Sequence, residues 1–286
     1  MKYGLPYQGS KNKLASRICE LFPPRKNFYD LFCGGCAVTH CAMEQRLFTH
    51  YVINDICAIP VNLFYNACCG KYKNENRWIG REEFMRLRDT DEYAACCFSF
   101  GNDYRSYCYA PDVERYKRAC HYAIVFDDWR ELHLLVPGVC KAAYNALRGV
   151  QDRKARRLAF RRVLTSARGH FRLERLESLE RLESLERHIG DYRDVVIAPD
   201  SVVYCDIPYE GTKNYFGQKF DYEDFYDWCE RQTEPVFISS YTMPEDRFDV
   251  VVTFSHRCTM NDKNNNPVVE KVFVPKHQKE RGNFLF

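Results

Sequence analysis

SVVYCDIPYEG, residues 201–211, joins an apolar run to a carboxylate, a proline and an aromatic ring. The run Val202–Cys205 predicts a buried strand, which delivers Asp206 to the loop at its carboxyl end. Ligands of open α/β sheets bind at that end of the strands. Asp206 and the backbone carbonyl of Ile207 can accept the two N–H bonds of an exocyclic amine, while Tyr209 stacks on the ring. A helix-capping Asp before a turn proline gives the same pattern.

The chain of 286 residues is long enough for one large domain or two, with a sizeable core. Its 45% apolar and 28% charged residues are ordinary for a globular protein. The net charge of +3 neither requires nor excludes nucleic acid as a partner. The sequence has no apolar run of about 18 residues and begins without an apolar signal core, so we expect a cytoplasmic protein without a membrane span.

The fifteen cysteines are many for such a chain. Without a secretory signal they are expected to be reduced thiols, most of them small core residues. Cys33-Gly34-Gly35-Cys36 has the Cys-x-x-Cys spacing of redox and zinc sites, but no second pair or histidine stands at ligand spacing. We therefore expect no metal and no redox centre.

A strand, a glycine turn and a helix follow one another near the N-terminus. Residues 28–32 predict a strand, Cys33-Gly34-Gly35 a turn, and residues 37–47 a helix. This order opens doubly wound nucleotide-binding folds, although the full Gly-x-Gly-x-x-Gly pattern of dinucleotide sites is missing. The next strand, Tyr51–Ile53, leads to Asp55, which is placed to bond ribose hydroxyls. The pattern favours an adenosine-containing cofactor over an α/β core without a ligand.

Two further segments are placed to contribute to a cofactor site. Residues 6–11 (PYQGSK) predict a turn before a helix at 13–21, and from this turn Lys11 can reach a carboxylate and Tyr7 can cover a ring. Asp191 follows a short apolar segment, just before the strand of Asp206, and is placed to meet an adenine amino group. A surface lysine and a turn aspartate are the structural alternatives.

Residues 71–184 differ from the chain on either side, because helical patterns replace strand patterns. Helices are predicted at 81–88, 111–126, 138–148 and 152–166. The loop at 97–109 interleaves aromatic residues with Asn, Ser and Arg, as in contacts with bases and sugars. Its candidates for such contacts are Asn102, Tyr104 and Arg105. A hairpin with aromatic packing fits the loop equally well.

Positive charge is concentrated farther along this region. Between residues 148 and 172 the only acidic residue is Asp152. The basic residues there are Arg148, Arg153, Lys154, Arg156, Arg157, Arg161, Arg162, Arg168 and Arg172. On a helix, residues 153, 156, 157 and 161 share one face. Such a stripe inside a nearly neutral chain favours contact with phosphates over a merely solvated helix face.

Five triplets, Leu-Glu-Arg or Leu-Glu-Ser, follow in residues 173–187. Leucines spaced by three drift around an α-helix instead of forming one stripe, and a 3₁₀ helix is rarely this long. We interpret the repeat as a spacer whose copy number, as a hypothesis, tunes the geometry between domains. Later in the chain we predict a mobile loop at 210–219, a helix at 222–231, a strand at 235–241, and a hairpin of strands at 248–254 and 268–274.

These motifs, in this order, resemble the Dam-type DNA adenine-N6 methyltransferases (D12 class, alpha group) of bacteria and phages. The matching segments are residues 6–11, Asp30-Leu31-Phe32-Cys33-Gly34-Gly35, Asn54-Asp55, Gly190-Asp191-Tyr192 and Asp206-Ile207-Pro208-Tyr209. The last segment is similar to the Asp-Pro-Pro-Tyr motif of the family. Ile207 replaces the first proline, yet the family uses the backbone carbonyl of that residue, and Pro208 still restricts its backbone.

The resemblance implies a Rossmann-like α/β methyltransferase domain, residues 1–70 and 185–286, with an inserted, mostly helical domain, residues 71–184, that reads the DNA target. It implies S-adenosylmethionine as the cofactor, double-stranded DNA as the partner, and methyl transfer to N6 of a flipped adenine. We expect a monomer, or a weak dimer on DNA, that works without a metal and without a membrane. The resemblance leans toward a phage-encoded protein in the bacterial cytoplasm.

The resemblance also assigns roles to residues. The catalytic residues are Asp206, Ile207, Pro208 and Tyr209. The cofactor-binding residues are Tyr7, Lys11, Asp30, Phe32, Cys33, Gly34, Gly35, Asp55, Asp191 and Tyr192. The DNA-binding candidates, chosen from the aromatic loop and the basic stripe, are Asn102, Tyr104, Arg105, Arg153, Lys154, Arg156, Arg157 and Arg161. Two alternatives stay open: methylation of cytosine N4 or of RNA adenine, and a non-catalytic nucleic-acid-binding relative marked by Ile207.

Overall fold

The structure is a computed structural model that describes residues 3–7, 9–73, 75–152, 155–156, 158–159, 176, 184–209, 220–257 and 267–280. The chain divides into two compact units. The first unit consists of Met1–Gly70 and Glu174–Phe286, and the second unit of Lys71–Leu173. Within the described residues, no helix has both the length and the apolar character needed to cross a membrane.

One sheet of seven strands runs through the described part of the first unit. In chain order the strands are β1 (Asn27–Asp30), β2 (His50–Asp55), β3 (Leu185–Ile189), β4 (Ser201–Asp206), β5 (Val236–Ser240), β6 (Phe248–Arg257) and β7 (Pro267–Pro275). They lie in the order β3-β2-β1-β4-β5-β7-β6. Strands β1 to β5 pair in parallel, whereas β7 is antiparallel to both of its neighbours. The predicted Rossmann-like α/β class and the predicted C-terminal hairpin are confirmed.

Helices occur in both units. Those with described bounds are α1 (Ala15–Cys19), α2 (Ala37–Glu44), α3 (Ala58–Cys68), α4 (Arg81–Leu87), α5 (Glu92–Cys97), α6 (Pro111–Phe126), α7 (Arg130–Leu135), α8 (Pro137–Leu147), α9 (Tyr222–Arg231) and α10 (Lys276–Glu280). Helices α4 to α8 belong to the second unit. Short 3₁₀ turns precede α1, at Lys11–Lys13, and β4, at Tyr192–Asp194.

The central strands are buried runs, as expected for parallel strands covered on both faces. All residues of β1 and β5 are buried, and so is β4 except for its last residue. Helix α9 contributes Phe225 and Trp228 to a core cluster with Val203 of β4 and Ile238 of β5. Burial of each large apolar side chain contributes about 1.5–3 kcal/mol. Asp221 precedes the helix and caps it, because its carboxylate accepts a hydrogen bond from the backbone N–H of Asp224 in the first turn.

The strand order reverses between β1 and β4, which are neighbours although they are distant in sequence. Asp30, the last residue of β1, is paired with Tyr204 of β4. Such a switch point leaves a crevice outside the carboxyl ends of the two strands, where ligands of this fold class bind. The topology therefore brings Asp30, Asp55 and Asp206 to one edge of the sheet, because each ends one of three parallel strands.

The last triplet of the repeat is part of the sheet. Residues 185–189 form β3, which pairs in parallel with β2 and places Leu185 opposite Tyr51. Leu185 is buried and the rest of the strand is exposed, which suits a strand at the edge of the sheet. The interpretation as a spacer did not foresee this strand. The rest of the repeat, apart from residues 176 and 184, lies outside the described residues, as does the predicted loop at 210–219.

Apart from a short bridge between Ser99 and Tyr107, the regular structure described in the second unit is helical. Helices α4, α6 and α8 begin and end within one residue of the predicted bounds. Helices α5 and α7 were not predicted, because six residues contain too few apolar positions to show a helical period. The predicted helix at 152–166 lies mostly outside the described residues. The core of this unit consists of Ala119, Cys120, Ala123, Ile124, Leu132, Cys140, Ala143 and Leu147.

The cysteines that the structure describes are free thiols, and most of them are buried. Cys33 and Cys36 flank the glycine turn, and burial raises the pKa of both thiols. In the same described residues, no group of three or more His, Cys, Asp or Glu side chains is placed to hold a metal ion. Buried thiols with a raised pKa are poor nucleophiles, so these cysteines serve packing.

Candidate active site

Asp206, at the end of β4, is held by a lysine from the N-terminal turn. Both of its carboxylate oxygens lie 2.7 Å from Nζ of Lys11. The side chain of Lys11 is 6% exposed and that of Asp206 is 22% exposed, so water screens this ion pair only weakly. Lys11 Nζ also donates to the backbone carbonyl of Gly9 at 3.1 Å. The prediction that Lys11 reaches a carboxylate is confirmed, and the carboxylate is that of Asp206.

A second carboxylate, Glu270 on β7, completes the surroundings of Lys11. Its Oε1 lies 3.1 Å from Lys11 Nζ and accepts a hydrogen bond from the Tyr209 hydroxyl at 2.5 Å. Glu270 is only 4% exposed. Asp206 and Glu270 therefore flank one ammonium, and two negative charges face one positive charge inside the first unit.

Burial and charge act on this cluster in opposite directions. Burial raises the pKa of Asp206, Lys11 lowers it and Glu270 raises it again, so that it lies at about 6. Burial by itself would lower the pKa of Lys11, but the two neighbouring carboxylates outweigh that effect and raise it. At neutral pH, Asp206 is therefore a carboxylate beside a charged lysine, and it can accept hydrogen bonds from an amine.

The loop that follows β4 is fixed by its own side chains. Ile207 is 2% exposed and belongs to the core cluster of the sheet. The carbonyl of Pro208 accepts a hydrogen bond from the Tyr222 hydroxyl at 3.1 Å. The ring of Tyr209 packs on that of Tyr241, with 4.2 Å between the ring centroids. The burial of Ile207 explains why an apolar side chain is accommodated at the position where the family has proline.

The glycine turn between β1 and α2 packs against the N-terminal segment. Gly34 has a φ of 44°, and a Cβ at this position would lie 2.7 Å from the Tyr7 ring. A Cβ on Gly35 would also lie 2.7 Å from Tyr7. The N–H of Cys33 donates to the carbonyl of Asn54 at 2.9 Å, which ties the turn to β2. Tyr7 therefore covers the turn itself, at a distance that only glycine permits.

Asp55, at the end of β2, also holds this turn. Its Oδ2 accepts a hydrogen bond from the N–H of Gly34 and its Oδ1 one from the N–H of Cys57, both at 2.9 Å. Burial raises the pKa of Asp55, and these hydrogen bonds oppose the rise. The sequence assigned Asp55 to ribose hydroxyls. In the structure its carboxylate binds the backbone of the turn, although each oxygen can accept a second hydrogen bond.

Two buried oxygens near the ends of β1 and β2 have no hydrogen-bond partner among the described residues, namely Oδ1 of Asp30 and Oδ1 of Asn54. The other oxygen of Asp30 accepts from the Thr39 hydroxyl at 2.6 Å, and the amide of Asn54 donates to the carbonyl of Leu31 at 3.0 Å. Burial raises the pKa of Asp30 to about 7. An unpaired buried acceptor costs about 1–3 kcal/mol, so these two oxygens mark a place for a ligand that donates.

Phe32 and Tyr192 meet in an aromatic cluster, with 5.1 Å between their ring centroids. Phe220 and Phe225 pack on the same two rings. Tyr192 is buried, whereas Phe32 and Phe220 are partly exposed. An aromatic surface of this kind suits a flat heterocycle such as adenine.

Asp191 is bound by its neighbour Arg193. Its Oδ1 accepts hydrogen bonds from the backbone N–H and from Nε of Arg193, each at 2.9 Å. These hydrogen bonds hold the pKa of Asp191 below its usual range. Arg193 also pairs with Asp224 of α9. The sequence analysis did not foresee this local partner, and the contact of Asp191 with an adenine amine stays a prediction.

Four of the DNA-binding candidates lie outside the described residues, namely Arg153, Lys154, Arg157 and Arg161. In the aromatic loop, Arg105 is exposed, and the amide of Asn102 donates to the carbonyl of Cys96 at 3.1 Å. Tyr104 is only 6% exposed. For Tyr104 the prediction of contact with bases is therefore corrected, because a buried ring offers no face to a base.

Arg156 binds the C-terminal end of α6. Its Nε donates to the carbonyl of Ile124 at 2.8 Å, and its Nη2 to the carbonyl of Ala123 at 3.0 Å. Nη2 also lies 2.7 Å from the carboxylate of Asp127, and the Arg156 side chain is 12% exposed. Carbonyls at a helix C-terminus lack partners within the helix and attract cations. The prediction that Arg156 contacts phosphate is thus corrected, because its guanidinium is occupied within the second unit.

The sequence analysis missed Glu270, because none of its motifs contains this residue. Glu270, Val272 and Val274 alternate along β7, and all three are buried. A glutamate in phase with buried valines is an inward-pointing charge, and this alternation was the available signal. Tyr241 was also missed. It directly follows β5, the sheet neighbour of β4, so topology rather than sequence brings it to Tyr209.

The comparison with protein families reports a match over most of the chain. The model of the family described as D12 class N6 adenine-specific DNA methyltransferase covers residues 7–234. A search of curated proteins gives no match. The matched residues include Lys11, the glycine turn, Asp55 and the loop after Asp206, whereas Tyr241 and Glu270 lie beyond the match. The chain therefore belongs to the D12 class N6 adenine-specific DNA methyltransferase family, whose members methylate adenine N6 in DNA.

Proposed function

We propose that this protein transfers a methyl group from S-adenosylmethionine to N6 of adenine in double-stranded DNA, with Asp206 as the catalytic carboxylate. The ion pair of Lys11 and Asp206 carries this proposal. It fixes a largely buried, charged acceptor at the carboxyl end of β4, beside the switch point of the sheet.

The amine of adenine is a weak nucleophile, because its lone pair is delocalised into the ring. Asp206 and the carbonyl of Ile207 each accept one of its N–H bonds, which favours a pyramidal nitrogen with a directed lone pair. S-Adenosylmethionine would supply the methyl group from its sulfonium, and the neutral thioether that remains is a good leaving group. A fixed acceptor where positive charge develops is electrostatic preorganisation. Alignment of the reactants contributes up to about 7–11 kcal/mol in favourable cases.

Lys11 keeps Asp206 ionised and oriented for this role. Its ammonium contacts both carboxylate oxygens, so the carboxylate cannot rotate without losing a contact. The nitrogen of adenine loses one proton as it gains the methyl group. Asp206, with a pKa of about 6, is placed to accept that proton and to release it to water at neutral pH.

The residues around the glycine turn fit the cofactor by their chemistry. The unpartnered oxygens of Asp30 and Asn54 suit an ammonium or a hydroxyl group. Asp55 holds the turn so that its backbone can approach a ligand. Phe32 and Tyr192 offer an aromatic surface for adenine. The further residues that we assign to the cofactor are Tyr7, Lys11, Cys33, Gly34, Gly35 and Asp191.

The target adenine has to leave the duplex, because a stacked base cannot reach Asp206. Extrusion of a base costs a few kcal/mol. Stacking on Tyr209 offsets about 1–3 kcal/mol of that cost. The hydroxyl of Tyr209 is bound by Glu270 and its ring packs on Tyr241, so the ring is oriented before the base arrives.

The second unit supplies the contacts that select the DNA site in this proposal. Its exposed Arg105 and the basic sequence at residues 148–172 favour contact with phosphates. We place the protein in the bacterial cytoplasm, where its DNA substrate lies.

The test uses purified protein, S-adenosylmethionine labelled in the methyl group, and duplex DNA of mixed sequence. The DNA is digested to nucleosides and analysed by mass spectrometry. We expect labelled N6-methyladenine from the wild-type protein and none from Asp206→Asn, which still binds S-adenosylmethionine in calorimetry. Label in N4-methylcytosine, or in RNA but not in DNA, would overturn the proposal that adenine in DNA is the substrate. Wild-type rates in Asp206→Asn would overturn the role of Asp206.

A further inference from the structure

Glu270 is a buried carboxylate that lies beyond residues 7–234, the segment matched by the family model. It stands on β7, between β5 and β6, and is paired with Phe254 of β6. Only 4% of Glu270 is exposed. A charge so far from water is costly unless it is paired, so the partners of this carboxylate indicate its role.

Both partners of Glu270 also contact Asp206. The ammonium of Lys11 is 3.1 Å from Glu270 and 2.7 Å from Asp206. The hydroxyl of Tyr209 is 2.5 Å from Glu270 and 3.4 Å from Asp206. Glu270 thus contacts the same two groups, the Lys11 ammonium and the Tyr209 hydroxyl, that contact the catalytic carboxylate of Asp206.

We propose that Glu270 is a positioning residue, which holds the Lys11 ammonium and the Tyr209 hydroxyl against Asp206 and so fixes the acceptor and the stacking ring relative to each other. This inference rests on the proposed function. The second carboxylate also leaves the cluster with one net negative charge. That charge suits a cationic methyl donor and a nitrogen that becomes positive during transfer.

The charge of Glu270 has a measurable effect on Asp206. Burial raises the pKa of Asp206 most, Lys11 lowers it, and Glu270 raises it, because two like charges share one site. The other titratable groups that interact with Asp206 are Tyr209, Asp30, Tyr204 and Cys205. The substitution Glu270→Gln leaves the side chains of all four in place. It keeps an oxygen that accepts from Lys11 and Tyr209, and it removes the negative charge.

The experiment compares the wild-type protein with Glu270→Gln and a matched control, Glu186→Gln. Glu186 lies on β3, where its exposed side chain pairs with His50, so the control removes one carboxylate from the same sheet outside the site. Two quantities are measured in each protein. One is the titration of Asp206 without cofactor, measured by ¹³C NMR of carboxyl-labelled aspartate. The signal of Asp206 is identified as the one that is missing from the spectrum of Asp206→Asn. The other is the pH profile of kcat for DNA methylation.

We expect the titration midpoint of Asp206 and the acid limb of kcat to move together to lower pH in Glu270→Gln. At about pH 8, kcat should fall about 10- to 100-fold, because a neutral amide oxygen holds the Lys11 ammonium and the Tyr209 hydroxyl more weakly than a carboxylate does. Circular dichroism should show a folded protein. Glu186→Gln should match the wild-type protein in every measurement.

A double-mutant cycle with Tyr209→Phe separates positioning from a general loss of stability. Because Tyr209→Phe already removes one of the two contacts of Glu270, Glu270→Gln should reduce kcat less in that background than in the wild type. A purely structural role of Glu270 would give the same factor in both backgrounds.

Several results would overturn this inference alone. One is an unchanged titration midpoint of Asp206 in Glu270→Gln, and another is an unchanged kcat at about pH 8. A third is a reduction of kcat by Glu270→Gln that is equally large in the wild type and in Tyr209→Phe. A Glu270→Gln variant that is unfolded would leave Glu270 as a structural residue only, and would overturn it as well. A wild-type protein that gives no N6-methyladenine would instead overturn the proposed function, and this inference with it.

Discussion

The ammonium of Lys11 lies 2.7 Å from both carboxylate oxygens of Asp206, although one residue belongs to the N-terminal turn and the other ends β4. The contact joins the cofactor part of the proposed site to the part that holds the reacting amine. Removal of one partner of a buried ion pair leaves the other charge uncompensated, which costs more than the pair contributes. The pair therefore affects both the pH dependence and the stability of the protein.

Lys11→Met tests this relationship, because it keeps the length of the side chain and removes its charge. Lys11 lowers the pKa of Asp206 from the value that burial would impose, and that pKa lies at about 6 in the intact protein. We expect the acid limb of kcat to move above pH 6, which is the opposite direction to Glu270→Gln. Initial rates measured from about pH 5 to 9 give the midpoint. The exposed neighbour Lys13, changed to Met, is the control, and an unmoved midpoint in Lys11→Met would contradict the assignment.

Two substitutions of Tyr209 test separately the stacking of its ring and the hydrogen bonds of its hydroxyl. Tyr209→Ala removes the ring, so kcat/KM for DNA should fall by about 5- to 150-fold, the equivalent of 1–3 kcal/mol of stacking. Tyr209→Phe keeps the ring and loses the hydroxyl, which contacts Glu270 and, at 3.4 Å, Asp206, and Lys11 still pairs with both carboxylates. Its activity should stay within about 10-fold of the wild type, which corresponds to about 1.4 kcal/mol, because Glu270 keeps Lys11 as a partner and is not left unpaired. Equal losses in the two variants would show that the ring does not stack on the base.

Asp30→Asn should stabilise the protein without cofactor, and only at higher pH. Burial raises the pKa of Asp30 from 3.8 to about 7, so the ionised form destabilises the fold. The penalty is absent below pH 4, grows between the two pKa values and is complete above pH 7, where it is roughly 4 kcal/mol. The new amide donor costs about 1–3 kcal/mol of that gain when it lacks a partner.

Thermal unfolding at two pH values checks this expectation for Asp30. The midpoint of Asp30→Asn should exceed that of the wild type by several degrees at about pH 8, and the difference should shrink at about pH 5. Asp194→Asn, at an exposed position in the same unit, is the control. Calorimetry should show weaker binding of S-adenosylmethionine to Asp30→Asn. A gain in stability that is the same at both pH values would refute the explanation by ionisation.

Two arginines of the second unit should differ in what they change. Arg105→Ala should reduce the salt dependence of DNA binding by about 0.9 in the slope of log K against log salt, because one phosphate contact is lost. Arg156→Ala should leave the slope unchanged and lower the free energy of unfolding by about 1–3 kcal/mol, because helix carbonyls lose their donor. Filter binding at several salt concentrations and calorimetric unfolding measure the two effects. A changed slope in Arg156→Ala would restore it to the DNA-binding residues.

The strands and turns that carry motifs could be predicted, because the apolar runs in the sequence are the segments that are buried in the structure. The buried runs of β1, β2 and β4 stand before Asp30, Asp55 and Asp206 in the sequence itself, and parallel pairing then places these residues at one edge. For Lys11 the sequence allowed a carboxylate partner, but by itself the short N-terminal segment favoured a surface lysine. The sequence did not identify Glu270, since that partner depends on the place of β7 in the sheet.

The direction in which a side chain points was the main feature that could not be predicted from the sequence. Tyr104 and Arg156 have the residue types of nucleic-acid contacts, yet one ring is buried and one guanidinium binds the end of α6. Helices α5 and α7 were missed because six residues show no clear period. Residues 185–189 were not predicted as a strand, because a period of three matches neither a helix nor a strand, and pairing with β2 decides their structure.

Strand β3 contains the last of the five triplets, Leu185-Glu186-Arg187. The sequence repeats in units of six residues, and whole units can be gained or lost upstream of Leu185 without changing any residue that pairs with β2. The residues that pair with β2 are thereby separated in sequence from the units whose number can change. A chain with more or fewer units upstream would present the same edge strand to β2.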